Sequence, residues 1–193
     1  MKNKSTRIAV RCFSFIALLT VVVLPAGVRA IDQQPTTLIL VRHAEKKIVP
    51  PENKDPDLSP AGQARADELA RMFADSGIAA IYATQYKRTQ QTVKPLADKL
   101  KLPVTQIEAK KTADLVKEIR AHNAGQVVFI AGHNNSVPEI IAAMGGPQLP
   151  IIPETEYDNL FVLTIYKDGS AKLLKMKYGS AMVPAGNQGM VKP

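Results

Sequence analysis

The chain is poor in thiols. Its one cysteine, Cys12, falls within the first thirty residues, so the rest of the chain has neither a disulfide framework nor a thiol nucleophile. A Gly-rich phosphate loop with its lysine is missing, and no His, Cys, Asp or Glu grouping has the spacing of a metal site. Neither a nucleotide P-loop nor a metal centre is therefore expected. Basic residues never gather into a stripe with interleaved aromatics, which argues against nucleic-acid binding. No internal repeat and no low-complexity block is found. After residue 30 no apolar run is long enough to cross a bilayer, which takes roughly 20 residues, so a transporter or channel is not expected.

The positive charge is less than it first looks. The formal net charge is +8, but Lys2, Lys4, Arg7, Arg11 and Arg29 lie in the first thirty residues with no acid among them. Residues 31–193 therefore carry +3, a modest excess that suits an anionic small molecule better than a polyanion. The basic start, the apolar run from Phe13 to Leu24, Pro25 and the small-residue ending Val28-Arg29-Ala30 read as a secretory signal spanning 1–30. An uncleaved N-terminal anchor is the alternative. The expected destination is the bacterial periplasm.

Along the rest of the chain, strand and helix signals alternate, which points to an α/β three-layer sandwich. Its central sheet is mainly parallel, with helices on both faces. Strands are expected at 37–41, 78–83, 103–107 and 126–131. Ser59 and Pro60 supply an N-cap and first-turn proline for one helix, which Gly77 ends. A second helix runs from about 87 to 100, and a third is capped by Thr112 and ends near Gly125. Ser136-Val137-Pro138-Glu139 reads as a capping box for a fourth. Segments 160–166 and 171–176, joined by Lys167-Asp168-Gly169-Ser170, form a C-terminal antiparallel hairpin. The domain is expected to span 31–178, with a flexible tail from Gly179 to the end.

The chemistry gathers where strands stop. Leu38-Ile39-Leu40-Val41 ends in Arg42-His43-Ala44-Glu45, and Val127 to Ala131 ends in Gly132-His133-Asn134. Ligands of open α/β sheets bind at the carboxyl ends of strands, so each of these strands aims an imidazole at that crevice. Arg42 adds a planar cation that can fork onto phosphate oxygens. A cation beside His43 keeps the imidazole neutral and nucleophilic. Arg88 opens a helix just after the second strand, where the helix N-terminus adds partial positive charge. Two histidines and two arginines at element ends describe a phosphate site. His122, near a helix end without such a setting, reads as a surface residue.

Four segments resemble, in order, the motifs of the histidine phosphatase superfamily, which includes phosphoglycerate mutases, acid phosphatases and bacterial phosphohistidine phosphatases. They are Arg42-His43-Ala44-Glu45, Leu58-Ser59-Pro60-Ala61-Gly62 with Ala66, Thr84 through Arg88 to Thr92, and Gly132-His133-Asn134. The resemblance implies that His43 is a nucleophile forming a phosphohistidine, and that Arg42, Arg88 and His133 hold the phosphoryl oxygens. It implies no metal and no cofactor, with a small phosphorylated molecule as substrate. The chain departs from the acid phosphatases, which carry Asp after the second histidine, in having Asn134 there. The mutase branch draws its acid from the segment after the arginine helix, where Glu108 is the nearest candidate. Glu45 is the alternative, and a site with no acid would favour substrates with good leaving groups. Glu139 is expected only to cap.

These readings converge on an exported, metal-independent phosphatase of small phosphomonoesters, an envelope sugar phosphate being a substrate that fits the compartment. The rival is a degenerate relative that keeps the anion pocket without turnover, an idea that Asn134 supports and His43 opposes.

Overall fold

The computed structural model describes residues 34–181. The expected signal segment, 1–30, and most of the expected tail lie outside the described residues. Six strands and four helices follow one another as β1 (Thr36–Arg42), α1 (Pro60–Met72), β2 (Ile78–Thr84), α2 (Lys87–Leu100), β3 (Val104–Ile107), α3 (Thr112–His122), β4 (Val127–Gly132), α4 (Ser136–Ala143), β5 (Asn159–Ile165) and β6 (Ala171–Lys177). They form one sheet in the order β3-β2-β4-β1-β5-β6. The first four strands in that order run parallel, while β5 pairs antiparallel with β1 and closes the expected hairpin with β6.

Strand β1 shows why the sheet must lie between two layers. Leu38 and Leu40 join a core cluster with residues of α3 and α4, whereas Ile39 and Val41 join a second cluster with residues of α1 and α2. Successive side chains of a strand point to opposite faces, so this uninterrupted apolar run is buried on both sides. Fully burying a residue of this size contributes about 1.5–3 kcal/mol.

The sheet order also builds the site. Strand β4 lies between β1 and β2, and Arg42 pairs in register with Gly132. His43 and His133 therefore leave two adjacent parallel strands side by side. On the other flank of β4, Ala83 pairs with Ala131, which brings Thr84 beside His133.

Three local expectations are corrected. Helix α1 ends at Met72, with Phe73 as its C-cap, and Gly77 (φ +69°) serves the turn into β2 instead of stopping the helix. Thr112 is the first helical residue of α3 and not its cap, a position held by Lys111 without a side-chain bond, and the helix ends at His122. The capping box at 136–139 does not form, because Ser136 already lies in α4, after an N-cap at Asn135 that makes no side-chain bond. The Ser136 hydroxyl turns back instead to accept the His133 amide at 2.9 Å. At the start of the expected tail, Arg65 donates to the Ser180 carbonyl at 3.0 Å.

Candidate active site

Arg42, His43, Arg88 and His133 line one cavity of about 270 Å³, together with Lys46, Tyr86, Lys110, Asn134 and Glu154. The two imidazole rings lie 5.5 Å apart, centroid to centroid.

His43 is held in one tautomer. Its Nδ1 is 2.8 Å from the Ala44 carbonyl oxygen, and a carbonyl can only accept, so Nδ1 carries the proton and Nε2 keeps its lone pair. Its backbone amide continues the β1–β4 ladder by donating to Gly132 at 2.9 Å. The Ala44 amide donates to Thr92 Oγ1 at 2.9 Å, which pins the chain after His43 to α2. Burial is the main force pushing the His43 pKa down, to about 3, and the charges of Arg42, His133 and Arg88 add to it while the Ala44 bond opposes. The lowering agrees with expectation, but desolvation outweighs the neighbouring arginine.

His133 is pushed down to about 4, again first by burial and then by Arg88 and Arg42, with Glu154 opposing. Its Nε2 is 2.9 Å from Thr84 Oγ1, which in turn is 2.7 Å from Thr89 Oγ1. A Cβ on Gly132 would come within 2.8 Å of Ser136 Oγ, so the glycine lets that hydroxyl reach the His133 amide.

The spacing of the third motif now has a physical account. Thr84 holds His133, Arg88 lines the cavity as the second residue of α2, and Thr92, one turn further on, holds Ala44. Asp55 accepts the Lys87 amide at 2.9 Å and lies 3.7 Å from Arg88 Nη1, while the Arg88 guanidinium packs 4.2 Å from the centroid of the Tyr86 ring. The second motif is equally mechanical. Ser59 Oγ accepts the Gly62 amide, the Ser59 amide donates to the Glu45 carbonyl, and a Cβ on Gly62 would overlap that same carbonyl oxygen.

Arg42 is 2% exposed and is gripped by a loop that sequence reasoning did not connect with it. Its Nη1 donates to the carbonyls of Pro153, Glu154 and Glu156 at 2.8, 2.9 and 3.2 Å, and Nη2 donates to Glu154 Oε2 at 2.6 Å. The Tyr157 ring stacks on its guanidinium at 4.3 Å. Nε is buried and has no partner. Glu154 Oε1 accepts from Asn134 Nδ2 at 2.7 Å. The signal for this loop was the hairpin itself. Had β5 been placed antiparallel to β1, the residues just before it would have fallen at the carboxyl end of β1.

The sequence-derived acids separate. Glu108 is exposed, pairs with Lys111 at 3.2 Å and does not line the cavity, although its neighbours Ala109 and Lys110 do. It borders a separate small cavity of about 20 Å³ with Thr84, Gly132 and Ser136. Glu45 turns away into a bidentate pair with Arg65, at 2.8–3.0 Å. His122 is a surface residue paired with Glu118 at 3.1 Å, and Glu139 is exposed. Among the described residues no group of three or more His, Cys, Asp or Glu stands together as a metal-ligand set, and no helix is long and apolar enough to cross a membrane.

Residues 38–110 match the model of the histidine phosphatase superfamily, branch 1. The match takes in Arg42, His43 and Arg88 but spans less than half of the chain. Solved structures carry the same fold. The protein histidine phosphatase SixA complexed with tungstate is 16% identical, with 73% of this chain and 96% of that one covered at a TM-score of 0.59. Phosphoserine phosphatase from Entamoeba histolytica, in complex with 3-phosphoglyceric acid, is 17% identical over 77% of this chain and all of that one, with a TM-score of 0.59. A mycobacterial glucosyl-3-phosphoglycerate phosphatase is 14% identical over 77% and 100%, with a TM-score of 0.56. No curated protein sequence matches. The histidine phosphatase fold thus accounts for the mixed sheet, its four flanking helices and the C-terminal hairpin.

Proposed function

We propose that this chain is an exported, metal-independent phosphatase that hydrolyses small phosphomonoesters through a phosphohistidine on His43. The observation that carries the reading is the His43 ring. Its proton is held on Nδ1 by Ala44, and the ring lines a cavity shared with Arg42, Arg88 and His133. A neutral imidazole is the form that can attack phosphorus.

In this scheme His43 Nε2 forms a bond to phosphorus as the bond to the leaving oxygen breaks, and that oxygen takes up a proton. The ring becomes cationic, and the Nδ1–H bond to Ala44 stabilises it. Arg42 and Arg88 neutralise charge on the phosphoryl oxygens, His133 faces them as a neutral imidazole, and water then displaces phosphate from Nε2. Phosphoryl transfer demands positioning and charge neutralisation above all, and these side chains supply both without a metal. Several relatives in fold are named phosphatases, which favours hydrolysis over mutase chemistry. The signal-like first thirty residues support export, and a sugar phosphate of the cell envelope would fit that compartment.

The test is hydrolysis of an aryl phosphate by the purified protein, with and without a chelator, beside His43→Ala. Turnover that survives chelation and disappears in the variant is expected. Phosphate binding without turnover by the intact protein would favour a degenerate anion-binding module instead.

A further inference from the structure

The leaving oxygen must receive a proton, and the cavity holds only one carboxylate among the described residues that line it, that of Glu154. We propose that Glu154 is the proton carrier of the reaction, acid to the leaving oxygen and base to the water that follows. The inference rests on the phosphatase reading above and names the residue that reading lacks.

Three observations converge on it. The first is position. Glu154 bridges two residues of the cavity, taking Arg42 Nη2 on one oxygen at 2.6 Å and Asn134 Nδ2 on the other at 2.7 Å. Position 134 follows the second histidine, where acid phosphatases carry an Asp. Here an amide stands there, and a loop far along the chain sets a carboxylate against it. The second is mobility of the right part. The Glu154 backbone is fixed, because its carbonyl and those of Pro153 and Glu156 all accept from Arg42. Its side chain remains 70% exposed, so it can meet the cavity and still exchange protons with water. The third is the engagement of its competitors. Glu45 is locked onto Arg65, Glu108 faces Lys111 outside the cavity, and Asp55 holds the Lys87 amide and the flank of Arg88.

The proton balance closes without any further reactant. A phosphomonoester bound as its monoanion gives its proton to the Glu154 carboxylate as its oxygens take that carboxylate's place on Arg42 Nη2. The bond from phosphorus to the leaving oxygen breaks as His43 Nε2 bonds to phosphorus, and Glu154 passes that proton to the leaving oxygen. In the second half the carboxylate accepts a proton from water as the water oxygen attacks phosphorus. Glu154 hands that proton to the departing phosphate, which leaves as its monoanion, and the Glu154 carboxylate and the neutral His43 ring are restored.

The experiment is a leaving-group series, comparing nitrophenyl, phenyl and alkyl phosphates with wild type, Glu154→Gln and Glu108→Gln. Glutamine keeps the shape and the reach to Asn134 but cannot deliver the proton. The expected result is a loss in kcat/KM of about 10²–10⁴-fold for alkyl phosphate, the usual contribution of a general acid. Nitrophenyl phosphate, whose leaving group needs no proton, should change little. An equal loss across the series would mean that Glu154 only positions Arg42, and it would overturn the proposal. So would an unchanged Glu154→Gln, or a leaving-group-dependent loss found in Glu108→Gln instead. A wild type that forms no phosphohistidine would overturn the phosphatase reading itself, and the proposal with it. A wild type that turns over isolates the question of Glu154.

Discussion

Replacing Arg65 with Met should unfasten the loop that follows His43. The Arg65 side chain is 3% exposed and its partner Glu45 16%. Nε donates to both Glu45 oxygens at 3.0 Å, Nη2 donates to Oε1 at 2.8 Å, and the remaining donors hold the carbonyls of Tyr178 and Ser180 at 2.8 and 3.0 Å. Methionine keeps an apolar stem of similar length but leaves the carboxylate without its counter-charge, two residues from the nucleophile. Removing one partner of such a buried pair costs about 3–5 kcal/mol, out of a total stability on the order of 5–15 kcal/mol. In a domain of this size each kcal/mol lowers Tm by about 2–4 °C, which predicts a fall of roughly 6–20 °C. Urea melts of the wild type, Arg65→Met, Glu45→Gln and the double variant would measure it. The double variant should be less damaged than the sum of the singles, by about 0.5–3 kcal/mol. A cost below about 1 kcal/mol for Arg65→Met, or strict additivity, would refute the argument from burial.

Three further outcomes follow from the same geometry. Gly62→Ala should cost about 1–3 kcal/mol and depress turnover, because its Cβ overlaps the Glu45 carbonyl oxygen; a variant as stable and active as wild type would contradict this. Thr84→Val keeps volume but leaves buried His133 Nε2 without its partner, so a stability loss of about 1–3 kcal/mol and a raised KM are expected from melts and steady-state kinetics. NMR of the imidazole resonances should find His43 and His133 still neutral at pH 5, since their pKa values are pushed down to about 3 and about 4. An unfolded histidine binds its proton near pH 6.5, roughly. The unfolded state therefore takes up more protons below that pH, and stability should fall as the pH drops from about 6.5 towards 4. A ring midpoint near 6.5 for either residue would show the burial argument to be wrong.

Much of the site was legible because its members sit next to strong local signals. His43 and His133 each follow an apolar run that could only be a buried strand, and Arg88 follows the second strand at a helix start. Glu154 and Tyr157 carried no such mark. They lie in the connection between α4 and β5, and their role depends on the antiparallel pairing of β5 with β1, a tertiary fact that no local period encodes. Ser136 was misread for a related reason. A serine three residues before a glutamate satisfies the pattern of a capping box, but the close approach allowed by Gly132 gives its hydroxyl a better partner in the His133 amide. Gly77 punctuates the chain as expected, yet the helix before it ends where Phe73 donates its amide to Leu69, with a short turn still to come. The four motifs owe their spacing to particular hydrogen bonds, from Thr84 to His133, from Thr92 to Ala44 and from Ser59 to the amide of Gly62.

The most direct measurement is to trap the phosphoenzyme. Wild type is mixed with a phosphate ester labelled on phosphorus and quenched in base within one turnover, and the labelled peptide is then mapped. The account predicts an alkali-stable, acid-labile label on His43, attached at Nε2 because Nδ1 is engaged by Ala44, and no label in His43→Ala. Label on another residue, attachment at Nδ1, or turnover with no labelled protein at any time would contradict it.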